Sequence, residues 1–290
     1  MFEKILVLAR GAASDQPALQ RALLCASPRT QLVILDVVHE PMLDGYLGNK
    51  ALYEPLRARV VAERRTRIEA LAAEVVSRGV KAVGKAVWEY PLDEAVAKHA
   101  REEHANLVVI APPVDSGGLT SSDWRLVTHC PAPVLVVRGT GTTQYRHVVA
   151  AVDPFHVHAK PAELDLSILA AARKFEQHAR ATLTAVHCHV SPEYFGAGSS
   201  AARGHDAEHR EALERIVAMA GLPKSIARLA TGASTDTFLK RMAGAGEADL
   251  IVIGALARGR FGEMFIGSTA ERVLHGVAAD VLTIQATPAI

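Results

Sequence analysis

Near-continuous apolar runs, bounded by polar or glycine-containing stretches, recur along the chain at residues 4–9, 31–38, 107–111 and 134–137. Strands that alternate apolar and polar residues bury one face; these runs do not alternate, so they predict strands buried on both faces. Between them, residues 16–26, 51–78 and 92–104 carry apolar positions at helical spacing, such as Val60, Val61, Ile68, Leu71 and Val75. A weaker strand is expected at 82–88. Strand and helix in alternation build a parallel sheet covered by helices on both faces.

The series then repeats. Residues 146–153 answer the first strand, 182–187 the second, 226–230 the third, 250–254 the fourth and 281–284 the fifth. Leu107 and Leu250 occupy like places, as do Lys4 and Arg146, so the period is about half the chain. The polar, glycine-rich stretch 139–144 reads as a linker. The expected architecture is two tandem doubly wound parallel-sheet α/β domains, Rossmann-like, at 1–139 and 144–290. Two copies of one unit are expected to pack as a pseudo-symmetric pair, an intramolecular pseudo-dimer that leaves room for a further homodimer.

Composition narrows the class. Of 290 residues, 49% are hydrophobic and 22% charged, and 32 Lys and Arg against 31 Asp and Glu give a net charge of +1. That balance argues against a nucleic-acid or membrane-surface binder, and 5% aromatic content gives no stacking platform. No run approaches the roughly 20 apolar residues needed to cross a bilayer. Cys25, Cys130 and Cys188 are widely spaced, which predicts reduced thiols and a cytoplasmic location.

The stretch that carries chemistry follows the fourth strand of the second half. Gly254 ends that strand, Arg258 and Arg260 offer countercharge, and Gly267-Ser268-Thr269 opens a helix whose first amides can hold phosphate oxygens. The same residues also make an ordinary helix start, with Ser268 as cap and Glu271 completing a capping box. This stretch resembles the universal stress protein family, whose nucleotide-binding members carry Gly-x2-Gly-x9-Gly-Ser/Thr at this place. Gly254, Gly267 and Ser268 fit; Ala257 stands where the family has its second glycine, and its methyl group would crowd a phosphate or oppose a positive φ. The family's Asp after the first strand is matched by Asp153, and its His followed by a hydrophobic residue by His187-Cys188.

The resemblance implies an adenine nucleotide alpha hydrolase-like fold. It also implies that Asp153 faces a ribose, that Cys188 and Ile253 border an adenine, and that Gly254, Ala257, Gly267, Ser268 and Thr269 surround phosphates. Each has a plainer role open to it: Asp153 as a turn former, His187, Cys188 and Ile253 as core. In the first half the corresponding loop is about four residues shorter, Pro112 and Pro113 remove amides, and Ala9-Arg10 replaces the Asp. Nucleotide binding is expected to be lost there, with Ser122 or Asp123 acting as a helix cap. This division of labour resembles the tandem, E-type members of the family.

Three histidine pairs, His156/His158, His187/His189 and His205/His209, each place two imidazoles on one face, but none is completed at familiar metal-site spacing. They are expected to be solvated loop histidines, and no metal site is assigned. No Gly-x-Ser-x-Gly elbow or Gly-Lys-Ser/Thr motif occurs, and Gly244-Ala245-Gly246 precedes a strand, which suits a helix end. The basic stretch 57–67 is expected to be a solvated helix face. Tyr46, Leu47, Leu52 and Tyr53, with Tyr194 and Phe195 in the second half, are expected to pack on their own helices rather than to form a flap over an apolar cavity.

The resemblance thus implies a stress-response protein that binds nucleotide, ATP with Mg2+, in its second domain as a sensor or regulator. It is not expected to be an enzyme beyond slow incidental hydrolysis. The competing reading is an interaction module for an apolar or acyl ligand or a protein partner, which Ala257 favours.

Overall fold

The computed structural model describes residues 2–10, 16–113, 116–138, 141–155, 162–196, 199–255 and 267–285. The chain divides into two compact units, Met1–Val137 and Arg138–Ile290. In the first, strands β1 (Lys4–Leu8), β2 (Gln31–Val38), β3 (Lys81–Trp88), β4 (Leu107–Ile110) and β5 (Val134–Val136) alternate with helices α1 (Pro17–Cys25), α2 (Lys50–Ser77), α3 (Leu92–Glu102) and α4 (Ser121–His129). Pairing is parallel throughout, in the order β3-β2-β1-β4-β5.

The second unit repeats the scheme with β6 (His147–Ala151), α5 (Ala162–Ala179), β7 (Thr182–His189), α6 (Ser199–Met219), β8 (Ala227–Thr231), α7 (Thr235–Gly244), β9 (Leu250–Ala255), α8 (Ser268–Gly276) and β10 (Asp280–Gln285). Its parallel order is β8-β7-β6-β9-β10. Right-handed crossovers put the first two helices of each unit on one face and the last two on the other. Accordingly α3 packs on α4, α5 on α6 and α7 on α8.

The unbroken apolar runs become the central strands, and Ile5, Leu6, Val7, Val108, Val109, Ile251 and Val252 are fully buried. Each such side chain contributes about 1.5–3 kcal/mol of transfer free energy. The repeat extends to polar details. Asn106 Oδ1 accepts from the amides of Glu3 and Lys4, both at 3.0 Å, and clips β4 to the start of β1. Asp249 Oδ2 does the same for Arg146 at 2.7 Å and His147 at 2.9 Å. The structural counterpart of Lys4 is therefore His147, one residue beyond the Arg146 suggested by sequence. Likewise Arg125 grips Asp93 through two bonds of 2.7 and 2.8 Å, and Arg272 reaches Asp236 at 3.1 Å.

One further expectation changes. The basic stretch of α2 is not wholly a solvated face: Arg67 and Arg64 reach the buried Asp36 of β2 at 2.8 and 3.5 Å. Burial pushes the Asp36 carboxyl up, and the two arginines only partly offset that. Gly244-Ala245-Gly246 does close α7, with Gly246 at φ +73°. All three cysteines are free thiols, and burial raises Cys130 and Cys188 to about 11, so neither is a ready nucleophile. No helix of the described residues is long and apolar enough to cross a membrane.

Candidate functional site

Strand order places β6 between β9 and β7, so Asp153, Cys188 and Ile253 come to neighbouring strand ends at the carboxyl edge of the second sheet. Open α/β sheets hold ligands at this edge. Asp153 is half-buried just past β6; its amide donates to Asp165 Oδ1 at 3.2 Å, and its Oδ1 accepts from the Phe155 amide at 3.4 Å. Cys188 turns toward α7, where its thiol meets Thr235. Ile253 is buried.

Gly254 owes its missing side chain to packing. A Cβ there would lie 2.7 Å from Leu164 Cδ2 and 3.4 Å from Ile168 Cδ1, so α5 can settle on β9 only because position 254 is bare. Ala257, with Arg258 and Arg260, lies outside the described residues.

The helix that follows is the informative element. The cap of α8 is Gly267, one residue before the Ser268 expected from the sequence, and no side chain among the described residues caps it. Ser268 and Thr269 already belong to the helix, so the Ser268–Glu271 capping box does not form. A Cβ on Gly267 would meet nothing within 4 Å among the described residues.

The counterpart α4 is closed. Thr120 caps it and Asp123 completes a capping box, with the Asp123 carboxylate accepting from the Thr120 amide and hydroxyl, both at 2.8 Å. Asp123 is fully buried and takes a further bond from the guanidinium of Arg10, the residue that follows β1 where Asp153 follows β6. The first unit therefore carries its own anion at the helix start and its own cation opposite. Of the caps expected there, Asp123 takes part, while Ser122 instead joins the Arg125–Asp93 contact, accepting from Arg125 at 3.3 Å.

On the other face of β7 lies a cluster that the sequence pattern did not assemble. β7 runs two residues beyond the expected 182–187, which carries His189 into the strand behind His187; both are buried, against the expectation of solvated loop residues for the pair. Both point to α6, whose His205 and His209 lie one turn apart. Ring centroids of His189 and His209 are 4.2 Å apart, His205 and His209 4.3 Å, and His187 and His209 5.1 Å. Phe155 covers His209 at 4.2 Å. Burial and the neighbouring imidazoles lower the pKa of His187 and His189 and bring His209 to about 4. His156 and His158 lie outside the described residues.

In the first unit, Tyr46, Leu47 and Leu52 are exposed beside α2, and Tyr53 packs edge-on to Trp88 at 6.4 Å. A cavity of about 560 Å³ between α3 and α4 is lined by charged groups, among them Glu89, Asp93, Lys98 and Arg125.

Comparisons with known proteins agree with this architecture. The sequence model described as "Universal stress protein family" matches residues 1–138 and again 144–285. Universal stress protein E of Photorhabdus laumondii is 23% identical over 307 residues, covering 98% of this chain and 95% of its own. The Escherichia coli K12 protein of that name is 22% identical over 305 residues, covering 98% and 94%. Among solved structures, a functionally unknown protein of Pseudomonas aeruginosa PAO1 superposes with TM-score 0.73 at 23% identity, over 98% of this chain and 92% of that one. A universal stress protein of Archaeoglobus fulgidus does so with TM-score 0.64 at 13% identity, over 97% and 98%. Two matched domains in succession, inside relatives of the same length and layout, place this chain in the universal stress protein family as a tandem, E-type member.

Proposed function

We propose that the second unit binds a nucleotide, ATP, at the carboxyl edge of its sheet, and that the protein acts in a stress response through that occupancy. The observation that carries this reading is the uncapped start of α8, set against the sealed start of α4. Unpaired amides at a helix N-terminus attract phosphate oxygens, and among the described residues none crowds Gly267. On this reading Gly267, Ser268 and Thr269 hold phosphates, together with Gly254 near the end of β9 and Ala257 shortly after it in sequence. Asp153 takes ribose hydroxyls, and Cys188 and Ile253 border the base. Mg2+ accompanies the phosphates as counter-ion. The protein's role is that of a sensor or regulator in the cytoplasm, with any hydrolysis slow and incidental, while the first unit serves as a structural partner.

The test is recovery of small molecules from freshly denatured protein by mass spectrometry, followed by ATP calorimetry on the emptied chain. Binding at one site, abolished by Gly267→Val, is expected. That substitution meets no neighbour among the described residues and sits at φ −57°, so the variant should fold. Unchanged ATP affinity in the folded variant would remove these amides from the site. An emptied protein indifferent to ATP would turn attention to the apolar surface at Met42, Tyr46, Leu47 and Leu52.

A further inference from the structure

The histidine cluster between β7 and α6 is unlike a satisfied core. Neither ring nitrogen of His189 has a hydrogen-bond partner among the described residues, although its side chain is only 4% exposed. Asp206 Oδ1 lies 3.3 Å from His189 Nε2, and it too is buried without a hydrogen bond. Leaving such atoms unpaired is costly, commonly about 1–3 kcal/mol each, and a cation at this spot would take up the lone pair of one ring nitrogen of His189 with the Asp206 carboxylate beside it.

We infer that His189, His205 and His209 form a binding site for a divalent transition-metal ion, Zn2+ foremost, with the fourth position left to solvent and the Asp206 carboxylate beside His189. One nitrogen from each of the three imidazoles lies within 4.8 Å of the others. A tetrahedral zinc ion with bonds of about 2.0–2.1 Å needs ligand atoms about 3.3 Å apart, so the three imidazoles close on the ion as it binds. Three imidazoles suit zinc, with copper and nickel as competitors, and do not suit the all-oxygen preference of calcium or magnesium. The helical pair His205 and His209, one turn apart, is a familiar way of presenting two ligands to one ion.

The surroundings set the proton positions that metal binding requires. The Val152 carbonyl can only accept, so His187 Nδ1, 3.3 Å away, carries the hydrogen. With its hydrogen on Nδ1, a neutral His187 offers Nε2 as an acceptor, and His209 Nδ1 at 2.8 Å donates to it. That tautomer of His209 leaves a lone pair on its Nε2. His187 thereby acts as an orienting partner behind a metal ligand, as carbonyls and carboxylates do in established sites.

This site is independent of the nucleotide reading, because alternate residues of a strand face opposite ways: His187 and His189 look to α6, Cys188 to α7. The test uses the full chain, stripped with a chelator and titrated with zinc chloride against a chromogenic competitor. One tight equivalent is expected, together with visible bands of four-coordinate cobalt when cobalt chloride replaces zinc. His189→Ala and His205→Ala should each weaken zinc at least about 100-fold, since loss of a mere outer-shell partner costs about 10–100-fold. Asp206→Asn should weaken it less. His205 is half-buried on α6, so its variant keeps the question open should His189→Ala fail to fold. No tight equivalent in the wild type, or equal zinc affinity in wild type and a folded His205→Ala, overturns the assignment.

Discussion

The starts of α4 and α8 are the same place in two copies of one unit, and they are chemically opposite. At α4 a buried carboxylate, Asp123, answers the helix's positive end and is itself answered by Arg10. At α8 the positions of Thr120, Asp123 and Arg10 are taken by Gly267, Ala270 and Asp153, so anion and cation are both gone. A fold can keep its frame while one copy fills a charge site with its own side chains and the other carries neither of those side chains. The strand order, the clips at Asn106 and Asp249 and the paired arginines show how little of the frame had to change.

The largest effect should come from breaking the closed copy. Asp123→Ala removes a cap and leaves the Arg10 guanidinium without its carboxylate, which should cost roughly 3–5 kcal/mol. Urea denaturation would measure it, and a loss below about 1 kcal/mol would mean solvent replaces the carboxylate easily.

Next comes a transplant of the closed arrangement into the open copy. Asp153→Arg with Ala270→Asp should lower ATP affinity at least about 100-fold, near 2.7 kcal/mol, while the double variant stays folded. Ala270→Asp alone buries a carboxylate with no cation and should be the less stable of the two. Calorimetry and thermal melting on both variants decide it; ATP affinity unaltered in the double variant would show that the resemblance of the two helix starts is only structural.

The smallest effect serves as an internal control. Arg125→Ala and Arg272→Ala break the same contact in each unit, and each should cost only about 0.5 kcal/mol because the arginines are half exposed. Burial raises Asp93 and Asp236, but the hydrogen bonds they accept outweigh it and both carboxyls end below their usual value. A depressed carboxyl contributes stability above its unfolded pKa of about 3.9 and loses it as pH falls through the folded value. The two variants should therefore differ from wild type by a constant amount between pH 7 and 5, and converge with it only as the pH falls below the depressed folded value. A difference between the units would show that their frames are less alike than their geometry.

Much of this was legible from apolar runs alone, because a parallel strand buried on both faces has no room for polar residues. The boundaries of β2 are those the run marks, Gln31–Val38. The same logic failed where burial is polar. β7 continues through His187-Cys188-His189, and a reading that ends the strand at the last apolar residue leaves His189 in a loop and its pair separate from the pair on α6. Only tertiary structure joins two elements whose histidines are some twenty residues apart, as the bond from His187 to His209 does. Asp36 was hidden for a related reason: its partners Arg64 and Arg67 look like surface charge until the helix is laid on the strand. At α8 the signal Gly-Ser-Thr marked a helix start correctly, yet the cap fell on the glycine, because a serine in the first turn can enter the helix instead of bonding back to it.

The tip of β7 is a three-residue lever. His187 and His189 look one way and Cys188 the other, on a backbone too short to bend independently at each position. His189 and Cys188 hang from one short stretch of backbone, so a shift of the strand tip itself would be felt on both faces of the sheet. Linkage makes such sharing reciprocal: a ligand on one face changes affinity on the other by the factor it experiences in return.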